Sequence, residues 1–191
     1  DEYQKAEQGL PLPKDVWLPD LQVMAARDEQ GTTKGFYMAA KGGHNDESHN
    51  HNDIGNYVVY YDGQPLIIDV GRGTYTRKTF SDKRYEIWYN RSDYHNIPSI
   101  NGKAQLPGKQ FKASEVLYKT AKSYTQFSLD IGQAYPEEAA INSWKRTIQL
   151  NRGKNVQITD IISLKQANDV TQHLMTCYPA EITHPGELII H

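Results

Sequence analysis

Short runs of alternating hydrophobic and polar residues occupy most of the chain, and turn-forming residues interrupt them at brief intervals. Alternation with a period of two predicts β-strands, because successive side chains of a strand point to opposite faces. No window of about eleven or more residues has the apolar period of a helix. The predicted strands are 21–25, 36–40, 57–61, 66–70, 115–118, 124–130, 143–150, 156–162, 173–175 and 188–190.

Many short strands separated by turns predict an all-β fold, namely an antiparallel β-sandwich in residues 16–191. The preceding residues 1–15 are polar and contain Gly9, Pro11 and Pro13. We therefore expect them to form an entry segment or linker.

Two features interrupt this pattern in an informative way. Asp62-Gly63 lies between two predicted strands and is the pair most typical of a two-residue hairpin loop. Residues 71–101 are polar, aromatic and aperiodic. Long irregular stretches inside compact domains are often functional, so we expect part of a site here.

Charge and composition exclude several classes of function. The net charge of −2 on 191 residues gives no basic stripe for nucleic acid or an anionic membrane. A single cysteine, Cys177, excludes an internal disulfide. We find no apolar run long enough to cross a membrane and no signal peptide at the N-terminus. The chain begins without methionine, as expected of a mature product or an excised fragment.

Histidines concentrate in one part of the chain. Four of the seven, His44, His49, His51 and His95, precede residue 96. Two positions separate His49 from His51, so both would project from one face of an extended backbone. Two imidazoles and a carboxylate suit Zn²⁺ with one coordination position left open. The cluster therefore predicts a metal centre.

The residues alone leave the carboxylate ligand open among Asp46, Asp53 and Asp69. One possibility is a facial triad of His51, Asp53 and His95, as in non-haem iron oxygenases, whose folds are also all-β.

The other possibility uses Asp69. An ideal two-residue hairpin pairs Tyr57 with Ile68 and places Asp69 on the face opposite to His51. One additional loop residue, or a β-bulge near Gly55, would return it to the same face.

Several sequence blocks resemble the C-terminal domain of heparinase II/III-like polysaccharide lyases. The principal block is GGHNDESHNHNDIG at 42–55, followed by DGQPLIIDVG at 62–71 and YHN at 94–96. Further similarity occurs at 134–136 and 144–148, so the resemblance extends from about Trp17 onward.

The resemblance implies a fold, a metal and a set of ligands. The family joins an N-terminal (α/α) toroid to a multi-sheet antiparallel β-sandwich (a supersandwich), and this chain matches only the second part. His51, Asp69 and His95 would bind the metal, usually Zn²⁺ with Ca²⁺ as an alternative. His49 would be a catalytic residue facing the substrate, and Asp53 would orient an imidazole.

The resemblance also implies β-elimination on glycans that contain uronic acid, such as heparin, heparan sulfate or alginate. The substrate-binding residues would include Arg84, Tyr85, Arg91 and Asn96. The toroid would supply the other acid and base groups, so this fragment alone would be inactive. A periplasmic or secreted bacterial location is implied as well. Two alternatives remain, the iron oxygenase and a non-catalytic carbohydrate-binding module.

Overall fold

A computed structural model describes residues 11–166 and 169–190. Within these residues the chain forms fifteen β-strands and six short 3₁₀ helices, with no α-helix. The strands are β1 (Asp15–Leu18), β2 (Val23–Arg27), β3 (Phe36–Lys41), β4 (His44–Asn45), β5 (Tyr57–Tyr61), β6 (Gln64–Ile67), β7 (Pro98–Ile100), β8 (Gly108–Lys112), β9 (Ser114–Thr120), β10 (Tyr124–Asp130), β11 (Ile141–Asn151), β12 (Asn155–Leu164), β13 (Val170–Gln172), β14 (Ala180–His184) and β15 (Glu187–Ile190). The 3₁₀ helices are Arg77–Phe80, Asp82–Glu86, Trp88–Asn90, Ser92–Tyr94, Gly132–Ala134 and Glu137–Ala139.

All the strand pairs described here are antiparallel, and they form five sheets. The largest has the order β1-β2-β3-β5-β6, and the second has the order β12-β11-β10-β9. Three two-stranded sheets pair β13 with β7, β14 with β15, and β4 with β8. The predicted all-β class with several antiparallel sheets is confirmed. In the part of the chain that the structure describes, no helix is long and apolar enough to span a membrane.

The core lies between the two large sheets. Met24 and Met38 of the five-stranded sheet and Phe127 and Trp144 of the four-stranded sheet belong to one buried cluster. Trp17 joins them, with its ring 5.7 Å from that of Phe127. Each such side chain contributes about 1.5–3 kcal/mol when it is buried. The alternation in the sequence therefore marks the faces that hold the sandwich together.

Two differences from the predicted strands occur near the C-terminus. Residues 173–175 do not form a strand, because the N–H of Met175 donates to the side chain of Asn96 and its carbonyl accepts from the N–H of Ile68. Strand β15 pairs instead with β14, which the sequence analysis did not predict.

The described part of the predicted entry segment is attached to the first large sheet. The carbonyl of Leu12 accepts a hydrogen bond from Gly31, and that of Lys14 accepts one from Arg27. Strand β1 begins at Asp15, one residue before the predicted boundary. Residues 1–10 of that segment lie outside the described residues.

Candidate metal centre and adjoining cleft

Three separated parts of the chain meet at one end of the five-stranded sheet. His51 lies in the loop between β4 and β5, and Asp69 lies two residues after the end of β6. His95 directly follows the 3₁₀ helix Ser92–Tyr94. The end of β6 lies beside the start of β5 because the two strands are antiparallel neighbours. The sheet therefore brings the His51 loop and Asp69 to the same end.

A β-bulge shifts the strand that leads to Asp69. The β5–β6 hairpin starts with the register of a two-residue loop, but Val59 then pairs with Ile67, which leaves Leu66 as an additional residue. A bulge changes the alternation of the strand by one position. The bulge expected near Gly55 lies instead on the neighbouring strand, β6.

The side chains of His51, Asp69 and His95 form the cluster. Each offers one ligand atom, and the three atoms lie within 4.8 Å of one another. Nδ1 of His95 is 3.0 Å from Oδ2 of Asp69, and the two imidazole centroids are 5.2 Å apart. This is the set that the resemblance implied.

One buried atom in this cluster tests whether the set fits a metal ion. His95 is 0% exposed, and its Nε2 has no hydrogen-bond partner among the described residues. Buried polar atoms are nearly always satisfied, so an unpartnered nitrogen calls for a ligand. Two imidazoles and a carboxylate are donors that Zn²⁺ prefers. The donor set fits zinc, and zinc binding stays a prediction.

The surroundings favour the metal-binding protonation states. Asn56 Nδ2 donates to Asp69 Oδ2 at 2.7 Å, and the N–H of Gly71 donates to Oδ1 at 2.6 Å. Burial tends to raise the pKa of Asp69, but the hydrogen bond and charge of His95, together with the Gly71 N–H, lower it overall. Burial lowers the pKa of His51, and nearby carboxylates oppose this only in part. A neutral imidazole and an ionised carboxylate are the forms that bind metals.

His49 lies outside this cluster and is exposed. Its φ of 58° is in the left-handed region, at a cost of about 1–2 kcal/mol for an L-residue. The extended backbone expected to place His49 and His51 on one face is therefore not formed, and that prediction is wrong. The His49 ring stacks at 6.0 Å on Tyr75 and meets the edge of Phe80 at 6.0 Å. His49 and Phe80 border an open cleft of about 440 Å³ that Arg84 also lines.

Asp53 pairs with a lysine in the structure. Its Oδ1 lies 2.8 Å from Nζ of Lys41, which is also 3.6 Å from Glu47 Oε2. Burial tends to lower the pKa of Lys41, but the two carboxylates outweigh it and raise the pKa. This ion pair replaces the expected contact of Asp53 with an imidazole. Among the described residues, the clustered carboxylate is Asp69.

All four predicted substrate-binding residues lie in the irregular segment 71–101, and Arg84 lines the cleft. Arg84 Nη2 donates to the carbonyl of Asn50 at 2.6 Å, and the Tyr85 hydroxyl donates to Asn50 Oδ1 at 2.9 Å. Arg84 and Tyr85 therefore hold the loop at Asn50, between His49 and His51. Arg91 is exposed and pairs with Asp93. Their contact with a substrate stays a prediction.

Asn96, the fourth, is fully buried. Its Nδ2 donates to Asn56 Oδ1 at 3.1 Å and to the carbonyls of Tyr57 and Ile68 at 2.8 Å each, while its Oδ1 accepts from the N–H of Met175 at 2.7 Å. The amide thus joins three parts of the chain beneath the metal centre. Its predicted contact with a substrate stays a prediction.

Two buried amides that support the site, Asn56 and Gln105, were not among the predicted site residues. Asn56 holds Asp69 and the segment after His95, as described above. Gln105 donates from Nε2 to the carbonyl of Ile54 at 2.8 Å and accepts from the Ile54 N–H at 3.0 Å. Its own N–H donates to Ser92 Oγ at 2.9 Å. Asn56 could have been noticed because it follows an asparagine-rich run, whereas no sequence pattern marks Gln105.

Comparisons with known proteins agree with the fold. Residues 11–182 match a family model described as heparinase II/III-like, C-terminal, which confirms the resemblance seen in the sequence. Among curated proteins, none matches this sequence.

Solved structures with the same fold include a heparinase III and a heparan sulfate lyase. A heparinase III gene product has a TM-score of 0.72 and 16% identity, over 95% of this chain and 27% of that chain. Heparan sulfate lyase HepC from Pedobacter heparinus has a TM-score of 0.63 and 16% identity, over 82% of this chain and 23% of that one. The chain thus spans about a quarter of the length of these proteins.

Proposed function

The chain belongs to the heparinase II/III-like, C-terminal family, and from this premise we propose that it is the β-sandwich part of a polysaccharide lyase. The substrate is a glycan containing uronic acid, and the reaction is β-elimination. The observation that carries the proposal is the cluster of His51, Asp69 and His95, with the exposed His49 beside it at the edge of an open cleft.

The elimination requires two proton transfers. A base removes the proton at C5 of the uronic acid, a double bond forms between C4 and C5, and the C4–O4 bond breaks. An acid protonates O4 as it leaves. Negative charge develops on the neighbouring carboxylate, so the site must stabilise charge there. Histidine serves both needs, because its imidazole exchanges protons near neutral pH. We assign this role to His49.

His51, Asp69 and His95 would hold the metal ion. Zn²⁺ suits the donor set better than Ca²⁺, which prefers oxygen ligands. When bound, zinc would supply a fixed positive charge that orders the surrounding loops. The reaction consumes no water, so these residues serve to hold the His49 loop in place. Because His51 is two residues from His49, fixing one imidazole restricts the other.

The charge of the irregular segment supports an acidic substrate. Residues 71–101 contain six Arg and Lys side chains against three Asp and Glu, although the whole chain has a net charge of −2. Arg84 borders the same cleft as His49. Guanidinium groups recognise carboxylates and sulfates through paired hydrogen bonds. We propose that Arg84, Tyr85 and Arg91 contact the glycan.

The rest of the active centre would belong to the N-terminal toroid. The chain spans about a quarter of the length of the solved lyases that it resembles. We therefore expect the isolated chain to bind about one zinc ion without measurable lyase activity. A periplasmic or secreted location would suit such a substrate.

The test compares the isolated chain with the protein extended by its toroid. Unsaturated uronides absorb ultraviolet light, so their release from heparan sulfate, heparin and alginate can be followed directly. In the extended protein, His49→Ala should lower kcat by about 100-fold or more while zinc content is unchanged. His184→Ala is the control, because His184 is exposed, pairs with Glu187 and lies 135 positions after His49 in the sequence. Wild-type rates in His49→Ala would refute the assigned role.

Two further outcomes separate the alternatives. Rapid uronide release by the isolated chain would disprove the need for the toroid. Glycan affinity that survives both chelation and His49→Ala, without any cleavage, would favour a carbohydrate-binding module.

A further inference from the structure

Arg146 is a charged side chain in the core of the sandwich. It lies on β11 between the core residues Trp144 and Ile148 and is 1% exposed. Moving a charge from water into a protein interior costs several kcal/mol, so a buried arginine requires partners. Asp160, its register partner on β12, accepts from Nε at 2.8 Å and from Nη2 at 2.7 Å.

The ion pair alone does not explain why a charge lies here. An apolar pair of similar volume usually stabilises a core as well as, or better than, a buried ion pair. Nη2 also donates to Gln172 Oε1 at 2.9 Å, and the donors of Nη1 point toward the metal centre. Nη1 donates to the carbonyl of Asn96 at 2.8 Å and to that of Gly55 at 3.2 Å. Asn96 directly follows His95, and Gly55 lies four residues after His51.

We infer that Arg146 is a positioning residue for the metal centre: one of its nitrogens, fixed by Asp160, sets the spacing between the two segments that carry His51 and His95. This inference rests on the proposed function, because it requires that these histidines bind the metal. If either segment moves away, a donor and a carbonyl lose their partners in the core, at about 1–3 kcal/mol for each unsatisfied group. The bridge therefore holds the imidazoles at a set distance before an ion binds.

The guanidinium group is suited to this task in a way that an ammonium group is not. Five N–H donors in one plane can pair with a carboxylate on one side and with two carbonyls on the other. A lysine keeps the charge but has a single nitrogen, so it cannot serve Asp160 and both carbonyls. Arg146→Lys therefore changes the bridge while the charge is conserved.

Arg152 provides a matched control. Its side chain is 7% exposed, and Nη2 donates to both oxygens of Asp15 at 2.6 and 2.7 Å and to Thr125 Oγ1 at 2.6 Å. None of the hydrogen bonds described for it reaches the metal centre. Arg152→Lys thus alters another arginine–aspartate pair of low exposure without touching the histidine-bearing segments.

The test measures zinc affinity by competition with a chromophoric chelator, the visible spectrum of the Co²⁺-loaded chain, and the free energy of unfolding without metal. We expect both variants to lose stability, but only Arg146→Lys to bind zinc about 10–100-fold more weakly and to alter the Co²⁺ spectrum. Wild-type affinity and spectrum in folded Arg146→Lys would overturn the inference. So would equal zinc losses in both variants, because the effect would then follow stability alone.

A double variant covers the case in which Arg146→Lys fails to fold. Arg146→Met with Asp160→Leu removes both charges together and leaves no unpaired ion in the core. We expect this chain to fold yet to bind zinc at least about tenfold more weakly. Unchanged affinity would overturn the inference. If His51, Asp69 and His95 do not bind a metal, the wild-type chain itself will bind no zinc. That result is distinct from a loss confined to the Arg146 variants, and it would also overturn the inference.

Discussion

The Asp69 carboxylate lies 3.0 Å from Nδ1 of His95, although 26 positions separate the two residues. Closing so long a loop costs entropy, which further contacts at its ends must offset. Asn56 supplies such contacts on both sides: its Nδ2 donates to Asp69, and its Oδ1 accepts from the N–H of Asn96. The two candidate ligands are thus held together by the protein itself.

The first prediction concerns the choice of carboxylate. Asp69→Asn should lower zinc affinity by about 100-fold or more, because it removes an anionic ligand. Asp53→Asn should change affinity by less than about tenfold, since Asp53 pairs with Lys41. Competition with a chromophoric chelator measures both. A larger loss in Asp53→Asn than in Asp69→Asn would favour the facial triad of the oxygenase hypothesis.

The second prediction concerns the titration of His51 in the metal-free chain. Its pKa should lie below the ordinary value of 6.5, because burial disfavours the imidazolium. Asp53→Asn should lower the pKa further, since the negative charge of Asp53 favours protonation of His51. Imidazole resonances followed by NMR across the pH range give the midpoints. A midpoint at or above 6.5, or one raised by Asp53→Asn, would contradict this prediction.

The same shift has a consequence for stability. The folded state binds the His51 proton more weakly than the unfolded state does, so stability rises with pH through this group. Its contribution is complete above about pH 6.5 and is lost as the pH falls toward the lowered pKa. Asp69, whose pKa is also lowered, acts in the same direction below its ordinary value of 3.8. Urea unfolding of the metal-free chain should therefore show decreasing stability in both acidic windows.

Strands with a regular period could be predicted from the sequence. Strand β11 alternates core and polar positions along its length, and the predicted range 143–150 lies within it. The short strands β4 and β7 were not predicted, because two or three residues are too few to show an alternating pattern. The position of the bulge at Leu66 was not predicted either, since it depends on how the strand pairs with its neighbour.

The candidate site was predictable in part. The density of histidines located it, and the resemblance selected Asp69 over Asp53. Neither could reveal the buried groups that support it. Gln105 acts through its position between two loops, and a lone glutamine carries no pattern. Arg146 could have been noticed as a charge on the buried face of β11, where it lies between two core positions.

The third prediction concerns Gly55, beside the metal centre. Its φ is +84°, and a Cβ there would lie 2.8 Å from Cγ2 of Ile131. Gly153 also has a positive φ, of +68°, but a Cβ there would meet nothing within 4 Å. Replacement by alanine strains the backbone at both sites by about 1–2 kcal/mol. Only Gly55→Ala also overpacks the core, at about 1–3 kcal/mol.

Urea denaturation of Gly55→Ala and Gly153→Ala gives the comparison directly. We expect the free energy of unfolding to fall further in Gly55→Ala, by about 1–3 kcal/mol. Equal losses in the two variants would mean that the core accommodates the extra methyl group.

The last prediction separates a structural from a substrate-binding role for Asn96. Replacing it by alanine removes the partner of a buried carbonyl at Tyr57 and of partly buried backbone groups at Ile68 and Met175. Each unsatisfied group costs about 1–3 kcal/mol, so Asn96→Ala should destabilise the chain by at least about 2 kcal/mol. Asn142→Ala is the control, because Asn142 is exposed and donates only a long bond of 3.3 Å to Ser163.

Kinetics of the toroid-containing protein complete this test. Below the unfolding temperature, Asn96→Ala should lower zinc affinity and kcat, because the amide joins the segment after His95 to Asn56 and so supports the metal ligands. KM should change little, since the side chain is 0% exposed and cannot reach a glycan on the surface. The opposite result, a raised KM with unchanged stability and zinc content, would show that Asn96 contacts the substrate after all.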